Sequence, residues 1–189
     1  MAIQQRAYDI DDLWQLVCQA ENADKHFELI NGELFEMAPT GEEHGLLAGD
    51  IFHFIRLFDP ERKLGIPAVD AGYYSPDDPN TLLSPDVAFR RTGRNAPPLT
   101  KTFVPVMPDL AVEIVSPSNT MAQIRRKAAL YLQHGTQLVW IVIPNKWTAE
   151  VCRLDADGKI QSTFIDADGA LSGEQVLPGF NLNLSALFS

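Results

Sequence analysis

Cysteine, positive charge and long apolar runs are all scarce in this 189-residue chain. Cys18 and Cys152 are its only cysteines and stand far apart with no CxxC partner. That excludes a zinc finger and a disulfide scaffold, suits a reducing compartment, and leads us to expect two buried thiols. The longest apolar run, Leu138 to Ile143, is far short of the roughly 20 residues of a bilayer-spanning helix. The start, Met1-Ala2-Ile3-Gln4-Gln5-Arg6, lacks the apolar segment of a secretory signal. The expectation is a cytoplasmic protein with no membrane partner. Internal repeats and low-complexity segments are absent, which argues against a solenoid or a disordered tail.

The shortage of positive charge constrains partners most. Lys and Arg number 15 against 25 Asp and Glu, a formal net charge of -10 that repels polyanions at long range. Binding nucleic acid would therefore need a local basic patch, a divalent cation, or both. Candidates for the patch are Arg90, Arg91, Arg94 and Lys101, with Arg125, Arg126 and Lys127 further on. The competing reading of these side chains is ordinary solvated charge on a loop and a helix.

What is present is the composition of a soluble globular protein, 46% hydrophobic and 21% charged, in a length that fits one domain over residues 1–189. Asp9 can cap a helix from about Asp11 to Ala20, with Leu13, Leu16 and Val17 at helical spacing. Phe27-Glu28-Leu29-Ile30 and Glu33-Leu34-Phe35-Glu36-Met37 flank Asn31-Gly32, a strong signal for a type I′ hairpin. A second helix is expected from Thr40 or Gly41 to Phe58. Its apolar stripe is Leu47, Ile51, Phe54, Ile55 and Phe58, and His44 lies on the same face. A strand from Ala68 to Tyr74 and a turn over Ser75 to Asn80 follow, and Arg90 to Lys101 reads as a loop.

Ser84-Pro85-Asp86-Val87-Ala88-Phe89 and Pro108-Asp109-Leu110-Ala111-Val112-Glu113-Ile114-Val115 read as two strands. Alternation puts Asp86 with Ala88, and Glu113 with Ala111 and Val115, so neighbouring strands would bring the two carboxylates to one face. After them Ser116 to Thr120 supply caps for a helix to about His134, closed by Gly135. Ile124, Ala128 and Tyr131 form its buried stripe, with Lys127 at the margin. Leu138 to Ile143, apolar throughout, reads as a central strand covered on both faces, reached by a crossover. Asp155-Ala156-Asp157-Gly158 and Asp166-Ala167-Asp168-Gly169 read as turns between antiparallel strands, since the first lacks the twelve-residue ligand pattern of a calcium loop. The tail through Leu177-Pro178-Gly179-Phe180 should dock on the body.

Two facing carboxylates supply the hard oxygen ligands that Mg²⁺ or Mn²⁺ prefers, and a nearby ammonium can offset charge on a phosphate in its transition state. Asp86, Glu113 and Lys127 therefore fit phosphodiester hydrolysis, although the two carboxylates taken alone read equally as ordinary strand-end or surface groups. A glycosidase reading of the carboxylates leaves Lys127 without a part.

Pro85-Asp86, Glu113 on an apolar strand and Lys127 on the next helix resemble the PD-(D/E)XK nuclease superfamily. The chain is specifically similar to the Uma2 (DUF820) family through several further stretches. These are Phe27 to Glu33, Met37-Ala38-Pro39, His44, Val112-Glu113-Ile114-Val115-Ser116-Pro117-Ser118, Tyr131, Gly135, Trp140 and Leu177 to Phe180. The resemblance implies an α/β restriction-endonuclease-like core, a mixed sheet flanked by helices, with an additional antiparallel hairpin region near the C-terminus. It implies Asp86 and Glu113 as metal ligands for Mg²⁺ or Mn²⁺, Lys127 as the catalytic lysine and His44 as a base or orienting group, a hydrogen-bonded core histidine being the competing reading of His44. It also implies nucleic acid, DNA before RNA, as partner, and a homodimer as the working form. The superfamily lysine two residues after the glutamate is here Val115, so its role passes to Lys127. Either Glu28 or Glu33 could lean into the site from beside the turn, though turn-flanking surface charge is the favoured reading of both, and His26, His53 and His134 are read as structural. The alternative to an endonuclease is a catalytically silent nuclease fold serving as an interaction module.

Overall fold

A computed structural model describes residues 7–93 and 97–188. In chain order it holds α1 (Ile10–Val17), β1 (His26–Ile30), β2 (Glu33–Met37), α2 (Glu42–Phe58), β3 (Gly65–Val69), β4 (Tyr73–Ser75), β5 (Asp78–Leu83) and β6 (Val87–Arg91). Then come β7 (Leu110–Ile114), α3 (Met121–Gln133), β8 (Leu138–Ile143), β9 (Thr148–Leu154), β10 (Ile160–Ile165), β11 (Ala170–Ser172), β12 (Asn181–Asn183) and α4 (Leu184–Leu187). Among the described residues no helix is long and apolar enough to cross a membrane.

The chain falls into two compact units. The first takes residues up to Pro39 together with 71–84 and 97–106, and is built on the four-stranded sheet β2-β1-β5-β4. Its hairpin has the expected turn: Asn31 and Gly32 have φ of 52° and 81°, the left-handed pair a type I′ turn demands. Asp9 caps α1 in a reciprocal box with Asp12, and Leu13, Leu29 and Leu82 form a small core beneath. The first helix is shorter than expected and the chain turns into a 3-10 segment at Ala20–Asn22. Cys18, expected to be buried, is exposed at its C-cap.

The second unit holds the six-stranded mixed sheet β10-β9-β8-β7-β6-β3. β7 and β8 are parallel and joined through α3, while the other neighbours are antiparallel. α2 sets Leu47, Ile51 and Ile55 on one face, against Val87, Phe89, Val112, Ile114 and Trp140. The C-terminal segment closes that layer with Leu177, Phe180, Leu182 and Leu184, and the Phe180 ring stacks on Trp140 at 6.0 Å. Phe58, expected in the α2 stripe, is 41% exposed because the helix ends there. β8 is buried at every position, as a central strand between two helical layers must be. β9, β10 and the pair β11-β12 supply the antiparallel region near the C-terminus.

Two stretches between α2 and β6 also depart from the sequence expectation. The strand expected over Ala68–Tyr74 is two strands, β3 and β4, because Asp70 adopts φ 49° and breaks the extended backbone. The turn expected over Ser75–Asn80 contains the start of β5, whose Pro79 gives up a backbone donor without ending the strand.

Candidate functional site

The site lies wholly in the second unit, where the β6–β7 ladder ends. Val87 faces Val112 and Ala88 faces Ala111, so the next position outward sets Asp86 opposite Glu113 with both side chains on the same sheet face. Asp86 itself stands one residue before β6 rather than within the strand. Its Oδ2 accepts from the Ile114 backbone N–H at 2.6 Å, where a longer β6 would have offered a backbone carbonyl. Its Oδ1 meets His44 Nε2 at 2.9 Å, so one carboxylate ties the start of α2 to the end of β7.

Glu113 is 3% exposed, and a carboxylate so buried must be matched by charge and hydrogen bonds. α3 supplies both. Lys127 Nζ lies 2.8 Å from Oε1 and 3.0 Å from Oε2, and the Tyr131 hydroxyl donates to Oε1 at 2.8 Å. Lys127 and Tyr131 are four residues apart, hence neighbours on one helix face, and the ammonium lies 5.9 Å from the Tyr131 ring centre. α3 is held at its start by a capping box between Thr120 and Gln123 and ends before Gly135, whose φ is 106°. Helical phase alone allows Lys127 to point inward or outward; in the structure it points inward.

Among the described residues His44 Nδ1 is buried without a hydrogen-bond partner, while Nε2 is committed to Asp86. The hydrogen bond to Asp86 raises the His44 pKa, burial opposes this, and the negative charges of Asp86, Glu113 and Asp70 add to the rise. A cavity of about 180 Å³ opens beside this pair, lined by Thr40, His44, Ala48, Val69, Asp70 and Asp86 and by the glycines of α2's first turns. A bare phosphate would meet mostly negative charge there.

Sequence reasoning missed two contributors. Tyr131 reads in the sequence as a buried-stripe residue and part of the family match but with no role in the site, although its spacing from Lys127 is a usable signal. Asp70 carried no signal, because it ends a strand that was expected to continue. Glu28, expected at the surface, is 3% exposed on β1 and its carboxylate accepts from the Ser84 N–H at 2.8 Å; Glu33 is exposed as expected. The basic candidates scatter. Arg90 is buried on β6, not in a loop, and Arg125 is paired with Glu150 through two nitrogens at 2.9 Å. Arg91, Lys101 and Arg126 are exposed, and Arg94 lies outside the described residues. Among the described residues no group of three or more His, Cys, Asp or Glu side chains is placed to hold a metal ion.

The model of the Uma2 family, described as "putative restriction endonuclease", matches residues 11–185. A crystal structure from Anabaena variabilis ATCC 29413, described as a putative nuclease belonging to DUF820, is similar in fold. It superposes with a TM-score of 0.78 at 17% identity, over 96% of this chain and 97% of that one. No curated protein matches the chain.

Proposed function

Because the chain belongs to the Uma2 family and has the fold of a DUF820 protein described as a putative nuclease, we propose that it is a divalent-metal-dependent endonuclease hydrolysing phosphodiester bonds in DNA. The observation that carries this reading is the meeting of Asp86 with His44 beside Glu113 with Lys127 and Tyr131.

The donor chemistry fits Mg²⁺ or Mn²⁺. Asp86 and Glu113 offer hard oxygens only, and ions of this kind bind through one or two carboxylates, completing their shell with water and substrate phosphate rather than a protein cage. The cavity beside Asp86 argues the same way, since an anion entering between Asp70 and Asp86 needs a cation there. Asp86 and Glu113 would hold the ion, which when bound lowers the pKa of water and offsets phosphate charge.

The remaining work falls to the chain's own groups. Lys127 keeps a fixed positive charge against Glu113, where it can orient a water and stabilise the extra charge of a pentavalent phosphate. Tyr131 holds Glu113 in its rotamer by the second hydrogen bond. His44, with Nε2 engaged, acts through Asp86 as a positioning residue. Val115 can do none of this, which is why the ammonium comes from α3.

The test is supercoiled plasmid with Mg²⁺ or Mn²⁺ and, in parallel, single-stranded RNA. Wild type should nick or linearise DNA, chelator should abolish it, and Asp86→Ala and Lys127→Ala should each lose roughly 100-fold or more. Cleavage of equal rate in wild type and Asp86→Ala would sink the assignment. A second reading, a silent nuclease fold acting as an interaction module, is favoured by the net charge of -10 and by the pairing of Arg125 and Lys127 with carboxylates. Turnover that disappears with Lys127→Ala excludes it.

A further inference from the structure

Among the described residues β10 is an edge strand without the usual devices that keep an edge from pairing. Its residues, Ile160-Gln161-Ser162-Thr163-Phe164-Ile165, include no charge, proline or glycine, and it pairs with β9 in unbroken register. At the other edge of the sheet β3 carries Pro67. An uncharged, β-prone window of this length on a free edge templates strand addition.

The side chains indicate what is added. β9 sends Ala149 and Val151 into the core, so Glu150, Cys152 and Leu154 lie on the other face. The register Ile160↔Leu154, Ser162↔Cys152 and Phe164↔Glu150 puts Ile160, Ser162 and Phe164 on that face too, where Arg125 lies 5.8 Å from the Phe164 ring centre. Leu154, Ile160 and Phe164 there are 42%, 45% and 60% exposed.

We propose that β10 pairs antiparallel with β10 of a second copy of this chain about a two-fold axis at Ser162, joining two six-stranded sheets into one. A two-fold axis normal to an antiparallel pair passes between equivalent residues, which leaves few registers. With Ser162 facing itself, Ile160 meets Phe164 of the second copy and Phe164 meets its Ile160, at the roughly 4.5–5.5 Å spacing of opposed residues. Leu154 extends each of these rows, and the exposed apolar side chains of both copies become one band. An axis at Thr163 would set Ile160 against Asp166, and one at Gln161 would set Phe164 against Gly158. An axis at Ile160 or Phe164 sets that residue against itself but pairs only one to three residues of the strand, so Ser162 alone pairs Ile160 with Phe164 and keeps most of β10 in the ladder. At each end of the ladder Lys159 of one copy lies beside the Ile165-Asp166 end of the other, joining opposite charges. A heterologous strand could add to the same edge, but nothing would then make Ile160 and Phe164 complementary to each other. The area is small beside the roughly 1,200–2,000 Å² of standard interfaces, so the dimer should dissociate on dilution. This inference is independent of the chemistry assigned to Asp86 and Glu113.

Sedimentation velocity of the full chain over a concentration series tests it. Wild type should rise from 21.0 kDa toward twice that mass. Ile160→Lys and Phe164→Lys, both at exposed positions, should stay monomeric at every concentration with unchanged circular dichroism, whereas Phe35→Lys on β2 should dimerise like wild type. Register is read by oxidising, in a Cys18→Ser background, an equimolar mixture of Ile160→Cys and Phe164→Cys chains. A disulfide heterodimer supports the proposal even where a lysine variant fails to fold. A wild type monomeric throughout, a dimer that survives both lysine substitutions, or cross-linking no better in the mixture than in either chain alone overturns it.

Discussion

At the scale of single residues, the site depends on who neutralises whom. Glu113 is deeply buried and accepts from both Lys127 and Tyr131, so removing either partner leaves an imperfectly matched carboxylate. Tyr131→Phe keeps the ring and deletes one hydrogen bond to a charged acceptor, a loss of about 1.5–3 kcal/mol that a urea melt should register. His44 carries the pH dependence. Its pKa is raised by the Asp86 hydrogen bond, against burial and with the help of the neighbouring carboxylates. A raised histidine contributes stability fully below its unfolded pKa of about 6.5 and loses it as pH climbs through the folded value. The stability gap between wild type and His44→Ala should therefore be widest at roughly pH 5.5 and narrow by roughly pH 9. Urea unfolding at both pH values checks this, and a gap that widened with pH would reverse the assignment. Alternation alone put Asp86 and Glu113 on one sheet face and left Lys127 at a helix margin; that these three form a set with His44 was implied by the family resemblance, not by pattern. Local pattern favoured the wrong side for Glu28, because a glutamate two residues before a turn-flanking isoleucine reads as surface unless the Ser84 backbone it binds is already known to be there.

At the scale of elements, α3 carries Lys127 and Tyr131 and its start is the place to perturb it. The Thr120 hydroxyl accepts from the Gln123 N–H at 3.2 Å and the Gln123 side chain accepts from the Thr120 N–H at 2.9 Å. Thr120→Ala should cost about 1 kcal/mol by thermal melt. The same variant should retain most of any nuclease activity, because Lys127 lies two turns inside the helix. Elements were legible where one signal dominated: the Asn31-Gly32 hairpin, the caps of α1 and α3, and the apolar run of β8. They were not legible around Asp70 and Pro79. There a left-handed aspartate split one expected strand, and a proline was accommodated inside another, outcomes set by pairing partners rather than by local preference.

At the scale of the whole molecule, net charge governs how nucleic acid can be met. A binder making many phosphate contacts loses affinity steeply with salt, at a log–log slope of about -0.9 per contact. Here Arg90 is buried and Arg125 and Lys127 are paired, so DNA binding without divalent ions should be weak. Its slope should be shallow, about -3 or less in magnitude, and binding should strengthen on adding Ca²⁺ as a non-catalysing ion. Fluorescence anisotropy on a duplex measures both, and tight, steeply salt-dependent binding in chelator would overturn this expectation. By itself the sequence determined the α/β class, the crossover between β7 and β8, and the identity of the charged residues on strand ends and helix faces, because these follow from periodicity, capping and turn chemistry, which act over a few residues. Only the tertiary structure decided that Lys127 aims at Glu113, that Tyr131 joins them, that His44 reaches Asp86 and that Arg90 is withdrawn from solvent. Those outcomes depend on which strand lies beside which and on the need of each buried charge for a partner, and neither is written in any short stretch of the chain.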